Sequence, residues 1–128
     1  MIVAGFGFRS GATLAALQDA LARAGGPDEV THLATVAGKA GGLALLAKVL
    51  GLPVVAVSPE VLQAQPVLTH SERVDALFGT GSVAEAAALS AAGPGARLWG
   101  PRVVSANGQA TAAIAEARRA PSNRQSMR

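Results

Sequence analysis

Three glycine-rich stretches of this 128-residue chain carry the side chains whose types and spacing could bind an anion. They lie at residues 5–11, 38–42 and 79–82, and each also supplies a hydroxyl, a guanidinium or an ammonium group. Glycine lets a backbone approach a ligand closely, while arginine and lysine donate charge-assisted hydrogen bonds. The predicted ligand-binding residues are Gly5, Gly7, Phe8, Arg9, Ser10, Gly11, Gly38, Lys39, Gly81 and Ser82.

The elements around the first two stretches would bring them to one edge of a sheet. Apolar, β-prone residues predict strands over residues 1–6, 31–36 and 53–57, and leucines at helical spacing predict helices over 13–24 and 43–50. This alternation, with nearly continuous apolar strands, indicates a mostly parallel sheet covered by helices on both faces. In such sheets ligands bind beyond the carboxyl ends of the strands, where helix N-termini present free N–H groups.

The second half of the sequence is less regular. Helical segments are predicted at residues 59–63, 69–78 and 82–92. Further strands are predicted at residues 96–99, 102–105 and 111–116, and the last of these could equally be helical. Capping-box spacing is found twice, in the pairs Thr69 with Glu72 and Ser82 with Glu85. Without a repeat or a linker, we expect one α/β domain over residues 1–117 and a basic, flexible tail over 118–128.

Charge and composition exclude several classes of function. The formal net charge is +3, but four of the eleven basic residues lie in the tail, so residues 1–117 carry seven basic against eight acidic groups. With few aromatic residues besides, we expect no nucleic-acid binding. The chain has no cysteine, which excludes disulfides and thiolate chemistry. No signal segment or long apolar run is recognisable, so we expect a cytoplasmic protein without membrane contact.

Nucleotide binding, metal binding and serine hydrolysis find little support. The first stretch reads G-x-G-x-x-x-G instead of G-x-G-x-x-G, and Gly38 and Lys39 stand where an acidic residue would bind ribose. His32 and His70 are far apart and lack acids at ligand spacing, so no metal and no cofactor are expected. No Gly-x-Ser-x-Gly sequence is present. The glycines could also serve only tight turns, and Phe8 only the core or a subunit contact.

Four segments, in order, resemble one known family. They are GFGFRSGAT from Gly5, LATVAGKAGGLALLAKVLGLPVVAVSPEVL from Leu33, GTGSVAEAAAL from Gly79 and NGQATAAIAEAR from Asn107. Together they are similar to the CobE/CbiG C-terminal domain family of cobalamin biosynthesis, over the whole chain apart from the tail. The resemblance implies a three-layer α/β/α sandwich with a mixed sheet, and the chain's length resembles that of a free-standing CobE-like member.

The resemblance also assigns roles to residues. The family's glycine–arginine loop, its lysine and its helix start correspond here to Gly5, Gly7, Arg9, Gly11, Lys39, Ser82 and Glu85. The sequence departs from the family at three places, because Phe8 replaces a usual cysteine, Gly41 and Gly42 replace an acidic stretch, and Arg102 replaces a lysine. Arg102 therefore joins the predicted ligand-binding residues. The departures argue against hydrolase chemistry that uses a thiol or a carboxylate there.

The loops and the resemblance together predict a protein that binds a polycarboxylated precorrin or corrin intermediate, as a carrier or an accessory factor. Arg9, Lys39 and Arg102 would hold the carboxylates, while Phe6, Phe8 or Trp99 would meet the ring. One alternative is a hydrolase acting on a precorrin lactone, because the family's CbiG opens the lactone of cobalt-precorrin 5A and releases acetaldehyde. Another is a non-catalytic partner of a pathway enzyme. A homodimer is compatible with the sequence, and no catalytic residue can be assigned from it.

Overall fold

The computed structural model of the protein describes residues 1–118. Its strands are β1 Ile2–Phe8, β2 His32–Val36, β3 Val54–Val57, β4 Arg97–Leu98, β5 Val103–Val104 and β6 Ala110–Glu116. Its helices are α1 Leu14–Ala24, α2 Ala44–Leu50, α3 Pro59–Gln63, α4 Glu72–Phe78 and α5 Val83–Ala92, and a 3₁₀ segment, Ala37–Leu43, precedes α2. The predicted tail lies outside the described residues except for Arg118. Within residues 1–118 no helix has the length and apolar character that crossing a bilayer requires.

The sheet is mixed, with strand order β3-β2-β1-β6-β4 and with β5 also paired to β6. The first three strands are parallel, as predicted, whereas β6 runs antiparallel to β1 and to both short strands. The β1–β6 ladder extends from the Ile2–Glu116 pair to the Phe8–Ala110 pair. The segment 111–116, for which the sequence allows a strand or a helix, is therefore part of a strand, β6, inside the sheet.

Helices cover both faces of the sheet, which confirms the predicted three-layer α/β/α fold. Helices α1 and α2 cover one face, over a core that includes Phe6, Leu17, Leu21, Leu33, Leu46 and Ile114. Helix α5 packs on the other face together with α3 and α4, over Val3, Val36, Val57, Leu62, Leu89 and Ala115. Each face buries its own set of apolar side chains, because neighbouring residues of a strand point to opposite sides of the sheet.

Gly5 and Gly7 lie inside β1, which runs two residues further than predicted, so their assignment to a loop is wrong. A Cβ atom on Gly5 would collide with the Ala84 carbonyl and lie 2.6 Å from the Ala88 nitrogen. A Cβ atom on Gly7 would lie 2.9 Å from Thr111 Oγ1. Glycine at position 5 is required because the backbone of α5 packs directly against β1, so it serves helix–sheet packing.

The capping boxes form only in part. Helix α4 begins at Ser71, whose Oγ accepts a hydrogen bond from the Val74 nitrogen, so the box predicted for Thr69 and Glu72 is wrong. Ser82 does cap α5, because its Oγ accepts from the Glu85 nitrogen at 3.3 Å. The Glu85 carboxylate does not return to the Ser82 nitrogen, and instead accepts hydrogen bonds from two other segments of the chain.

Candidate ligand-binding site

The carboxyl ends of the parallel strands β1, β2 and β3 lie at one edge of the sheet, and a cleft opens there. Its volume is about 570 Å³. We call it the strand-end cleft; its lining comprises Val36, Gly38, Lys39, Pro59, Gln63 and residues 75–79. One wall is the 3₁₀ segment after β2, and the opposite wall comes from α3 and α4. Two predicted site residues, Gly38 and Lys39, therefore line a concave surface.

Lys39 and Phe8, from the first two glycine-rich stretches, contact each other at this edge. The Lys39 Nζ lies 5.0 Å from the centroid of the Phe8 ring, which is within the range of a cation–π interaction. The same ring packs against Gly42, where a Cβ atom would lie 2.7 Å from Phe8 Cζ. Among residues 1–118 no carboxylate oxygen lies within 4.0 Å of Lys39. The ammonium group therefore has an aromatic contact and no ion-pair partner among these residues, so its charge is available to a ligand.

Arg9, Ser10 and Gly11 form an exposed turn directly after β1. The Arg9 nitrogen donates to the Gln109 carbonyl and the Ala12 nitrogen donates to the Arg9 carbonyl, both at 3.0 Å. Gly11 has a φ of +82°, in the left-handed region that favours glycine. These three residues thus lie at the same edge of the sheet as Lys39, as predicted from the parallel strands.

The opposite wall of the strand-end cleft is mostly apolar. Leu77 and Phe78 of α4 contribute to it, and 66% of Leu77 is exposed to solvent. Asp75 is the acidic member of the lining, and its Oδ2 lies 3.8 Å from His70 Nε2. The cleft therefore places a cation and an apolar surface on facing walls, an arrangement that suits a flat apolar ligand with acidic substituents.

Gly81 and Ser82 are buried, so the prediction that they contact a ligand is corrected. The segment leading into α4 covers them, because the Ser71 nitrogen donates to the Gly81 carbonyl at 2.9 Å. A Cβ atom on Gly81 would lie 2.5 Å from His70 Nδ1, and Ser82 has 0% exposure. The N-terminal end of α5 is thus occupied by the protein's own chain.

Glu85 has an environment that the sequence does not predict. It is completely buried, and its Oε1 accepts hydrogen bonds from the backbone nitrogens of Leu68 and Thr69. Its Oε2 accepts from Thr69 Oγ1 at 2.6 Å and from the Arg102 nitrogen at 2.7 Å. Burial raises the pKa of Glu85, but these hydrogen bonds outweigh it and hold the pKa below its usual value. An ionised carboxylate enclosed by four donors stabilises the fold and cannot act as a general base. The sequence feature that could have indicated this burial is the position of Glu85 within an alanine-rich, apolar run.

Arg102 is not brought to the strand-end cleft, so its prediction as part of the same site is wrong. It lies between β4 and β5, at the opposite side of the sheet from β3. There it lines a second cavity, of about 290 Å³, together with Arg23 and Trp99. The reason is topological, because β4 and β5 pair with β6 and not with the parallel strands.

Within residues 1–118 neither histidine belongs to a cluster of potential metal ligands. In the described part of the chain no three His, Asp or Glu side chains are close enough together to hold a metal ion. His32 is half-buried in β2, with its Nδ1 2.7 Å from Thr31 Oγ1. His70 is exposed beside Asp75 at the rim of the cleft.

Comparison with known proteins identifies a family. The family model described as the cobalamin synthesis G C-terminus matches residues 2–115. Among solved structures, CobE, a protein from the cobalamin (vitamin B12) biosynthetic pathway, is 34% identical with a TM-score of 0.76, over 90% of this chain and 89% of that one. The cobalamin biosynthesis protein chiG from Agrobacterium tumefaciens str. C58 is 38% identical with a TM-score of 0.68, over 93% of this chain and 100% of that one.

A more distant structure shares the fold alone. A cobalamin biosynthesis protein G homolog from Sulfolobus solfataricus is 16% identical with a TM-score of 0.67, over 89% of this chain and 36% of that one. Comparison with curated protein sequences gives no match. The family match over nearly the whole described chain and the two structures above 30% identity agree. The chain therefore belongs to the family of the cobalamin synthesis G C-terminus, and it is a protein of cobalamin biosynthesis.

Proposed function

We propose that the protein binds a precorrin or corrin intermediate at the strand-end cleft, as a carrier or accessory factor of cobalamin biosynthesis. The observation that carries this proposal is the position of Lys39. Lys39 lines the cleft together with the apolar side chains Leu77 and Phe78, and its ammonium group lies 5.0 Å from the Phe8 ring without a carboxylate partner in residues 1–118. A cation held in this way is available for an acidic ligand.

The chemistry of such intermediates matches the two walls of the cleft. Precorrins and corrins have an apolar, roughly planar centre and a periphery of acetate and propionate groups. Lys39 supplies a charge-assisted hydrogen bond to one of these carboxylates, and Arg9 in the neighbouring exposed turn supplies a second. Leu77, with most of its side chain exposed, offers an apolar surface to the ring. The ligand thus lies across the mouth of the cleft with its acidic edge toward the strand ends.

Binding is favoured over catalysis because the cleft offers little acid–base chemistry. Glu85 is buried and fully hydrogen-bonded, which removes it as a base. Asp75 is the acidic side chain in the lining, and it is half-exposed beside the exposed His70. Two alternatives remain. The protein could hydrolyse a precorrin lactone, or it could have a non-catalytic role beside a pathway enzyme. Contacts with pathway enzymes, a homodimer and a cytoplasmic location stay predictions.

The test is a visible-absorption titration of the protein with a corrin polycarboxylate. Replacing Lys39→Ala removes one charge-assisted hydrogen bond, and because Lys39 is partly exposed we take the low end, about 1.5 kcal/mol, or about tenfold in Kd. Lys48→Ala is the matched control, since Lys48 is exposed on α2 and does not line the cleft. Lys39→Arg keeps the charge and should retain most of the affinity.

Two results would reject the proposal. One is a folded wild-type protein that leaves the corrin spectrum unchanged at millimolar concentrations, which would favour the non-catalytic partner role. The other is equal affinity for the Lys39→Ala and Lys48→Ala proteins, which would move the binding site elsewhere. Release of acetaldehyde from a precorrin lactone would show that the protein is a hydrolase.

A further inference from the structure

The second cavity is separate from the strand-end cleft and shares no lining residue with it. It opens between the C-terminal end of α1 and the interrupted edge strand that β4 and β5 form along β6. Arg23, Trp99 and Arg102 line it, and Ala113 and Ile114 of β6 also contribute. We call it the arginine–tryptophan cavity.

A bulge in the edge strand creates this cavity. The Trp99 nitrogen still donates to the Ile114 carbonyl at 2.8 Å, but the next paired residue is Val103, opposite Ala112. Residues 100–102 therefore stand opposite Ala113 alone, and Pro101 among them has no N–H to give to the ladder. The Arg102 nitrogen turns away from β6 and donates to the buried Glu85 carboxylate. The bulge is thus held in place by a charge-assisted hydrogen bond.

Of the two arginines that line this cavity, Arg23 has a carboxylate partner for its side chain among the described residues and Arg102 does not. Arg23 Nε donates to Asp19 Oδ2 at 2.9 Å, and the Trp99 indole nitrogen donates to Glu116 Oε1 at 3.1 Å. Over the described residues no carboxylate oxygen lies within 4.0 Å of the Arg102 guanidinium, because Glu85 contacts only its backbone nitrogen. Arg102 is also half-buried, and a guanidinium partly withdrawn from water favours an anionic partner.

Trp99 provides a fixed aromatic surface beside this cation. The indole packs against Gly25, where a Cβ atom would lie 3.4 Å from a ring carbon, and its N–H is held by Glu116. Even so, 39% of Trp99 stays exposed. A rigid, partly exposed indole in the same cavity lining as an arginine is suited to stacking on a flat group that carries an acid.

We propose that the arginine–tryptophan cavity is a second binding site, which takes a small carboxylate attached to a flat, apolar body. Arg102 binds the carboxylate, and Trp99 stacks on the apolar part. The cavity of about 290 Å³ is at the small end of ligand sites, which fits a molecule far smaller than a tetrapyrrole. The site is independent of the proposed function, because none of its residues lines the strand-end cleft.

The experiment uses Trp99 as a reporter, with benzoate as the probe. The chain has one tryptophan and no tyrosine, so its intrinsic fluorescence reports on this cavity. Benzoate should quench the fluorescence in a saturable way, and benzamide, which is similar in shape but uncharged, should bind at least about tenfold more weakly. Arg102→Gln should weaken benzoate binding by a similar factor. This variant keeps the Glu85 contact, because that contact is made by the backbone.

Arg97→Gln is the matched control, since it removes the same charge from an exposed residue of β4 that does not line the cavity. It should bind benzoate like the wild type, and so should Lys39→Ala, which separates this test from that of the proposed function. Quenching that rises linearly without saturation, equal binding of benzoate and benzamide, or unchanged affinity in Arg102→Gln would each overturn the proposal.

Discussion

Glu85 should contribute more to stability than any other charged side chain that the structure describes, and two substitutions measure its contribution. In Glu85→Gln one oxygen can still accept from the Leu68 and Thr69 nitrogens, and the Thr69 hydroxyl can turn to accept from the new amide. The Arg102 nitrogen then faces an NH₂ group and loses its acceptor. A buried N–H left unpaired costs about 1–3 kcal/mol, and because this one is part-buried we expect the low end, a loss of about 1 kcal/mol from the free energy of unfolding.

Glu85→Ala removes every acceptor from three backbone nitrogens and a hydroxyl. We expect a loss of about 3–5 kcal/mol, because several donors lose their acceptor at about 1–3 kcal/mol each where they stay unpaired, against about 5–15 kcal/mol for the total stability of a domain. Urea unfolding followed by far-UV circular dichroism measures both variants. Glu29→Gln, at an exposed loop position, should stay within about 0.5 kcal/mol of wild type. If Glu85→Gln matches Glu29→Gln, the hydrogen bonds described for Glu85 do not stabilise the protein.

The pH dependence gives a second measure of the same carboxylate. Because the pKa of Glu85 in the folded protein is below its ordinary 4.5, the unfolded chain takes up the proton first as the pH falls. The stabilisation is therefore fully present above pH 4.5 and is lost as the pH falls through the folded pKa. The difference in unfolding free energy between wild type and Glu85→Gln should shrink over that window. A difference that stays constant below pH 4.5 would contradict an ionised Glu85.

Two further predictions concern packing and a loop tether. Gly5→Ala should lower the free energy of unfolding in urea by about 1–3 kcal/mol, because the new Cβ forces α5 away from β1. Gly38→Ala is the control and should have little effect, because a Cβ there would meet nothing within 4 Å. The Ala106 amide donates to Asp19 Oδ2 at 2.8 Å, and this hydrogen bond together with Arg23 holds the pKa of Asp19 below its usual value. Asp19→Asn weakens the acceptor, so hydrogen exchange of the Ala106 amide, measured by NMR, should become severalfold faster. Unchanged exchange would show that this hydrogen bond does not hold the loop.

The first half of the fold could be predicted because its signals are local. Apolar strands alternate with leucine-patterned helices, and α1 and α2 each end at a glycine with positive φ, Gly25 and Gly51. The conformation of β6 could not be assigned in the same way, since alanine and glutamate favour helix when considered alone. Its strand conformation comes from pairing with β1 on one side and with β4 and β5 on the other.

The same difference between local and long-range signals applies to the candidate site. That Phe8 and Lys39 lie at one edge follows from two parallel strands, which the sequence pattern predicts. That Gly5 serves helix packing follows from contact with Ala84, a residue far along the chain, and no local pattern reports such a contact. The position of Arg102 is not predictable for the same reason, because tertiary structure decides which strand the two-residue strands beside it pair with.

Glu85 connects the two cavities, although it lines neither. Through Leu68 and Thr69 it fixes the segment that leads into α4, the apolar wall of the strand-end cleft. Through the Arg102 nitrogen it fixes the bulge that opens the arginine–tryptophan cavity. An anion buried at the start of α5 also lies at the positive end of the helix dipole, which adds to its hydrogen bonds. The serine–glutamate pair that resembles a capping box at the start of α5 is therefore better explained as a cap, Ser82, and a hydrogen-bond acceptor, Glu85, that holds the segments bordering both cavities.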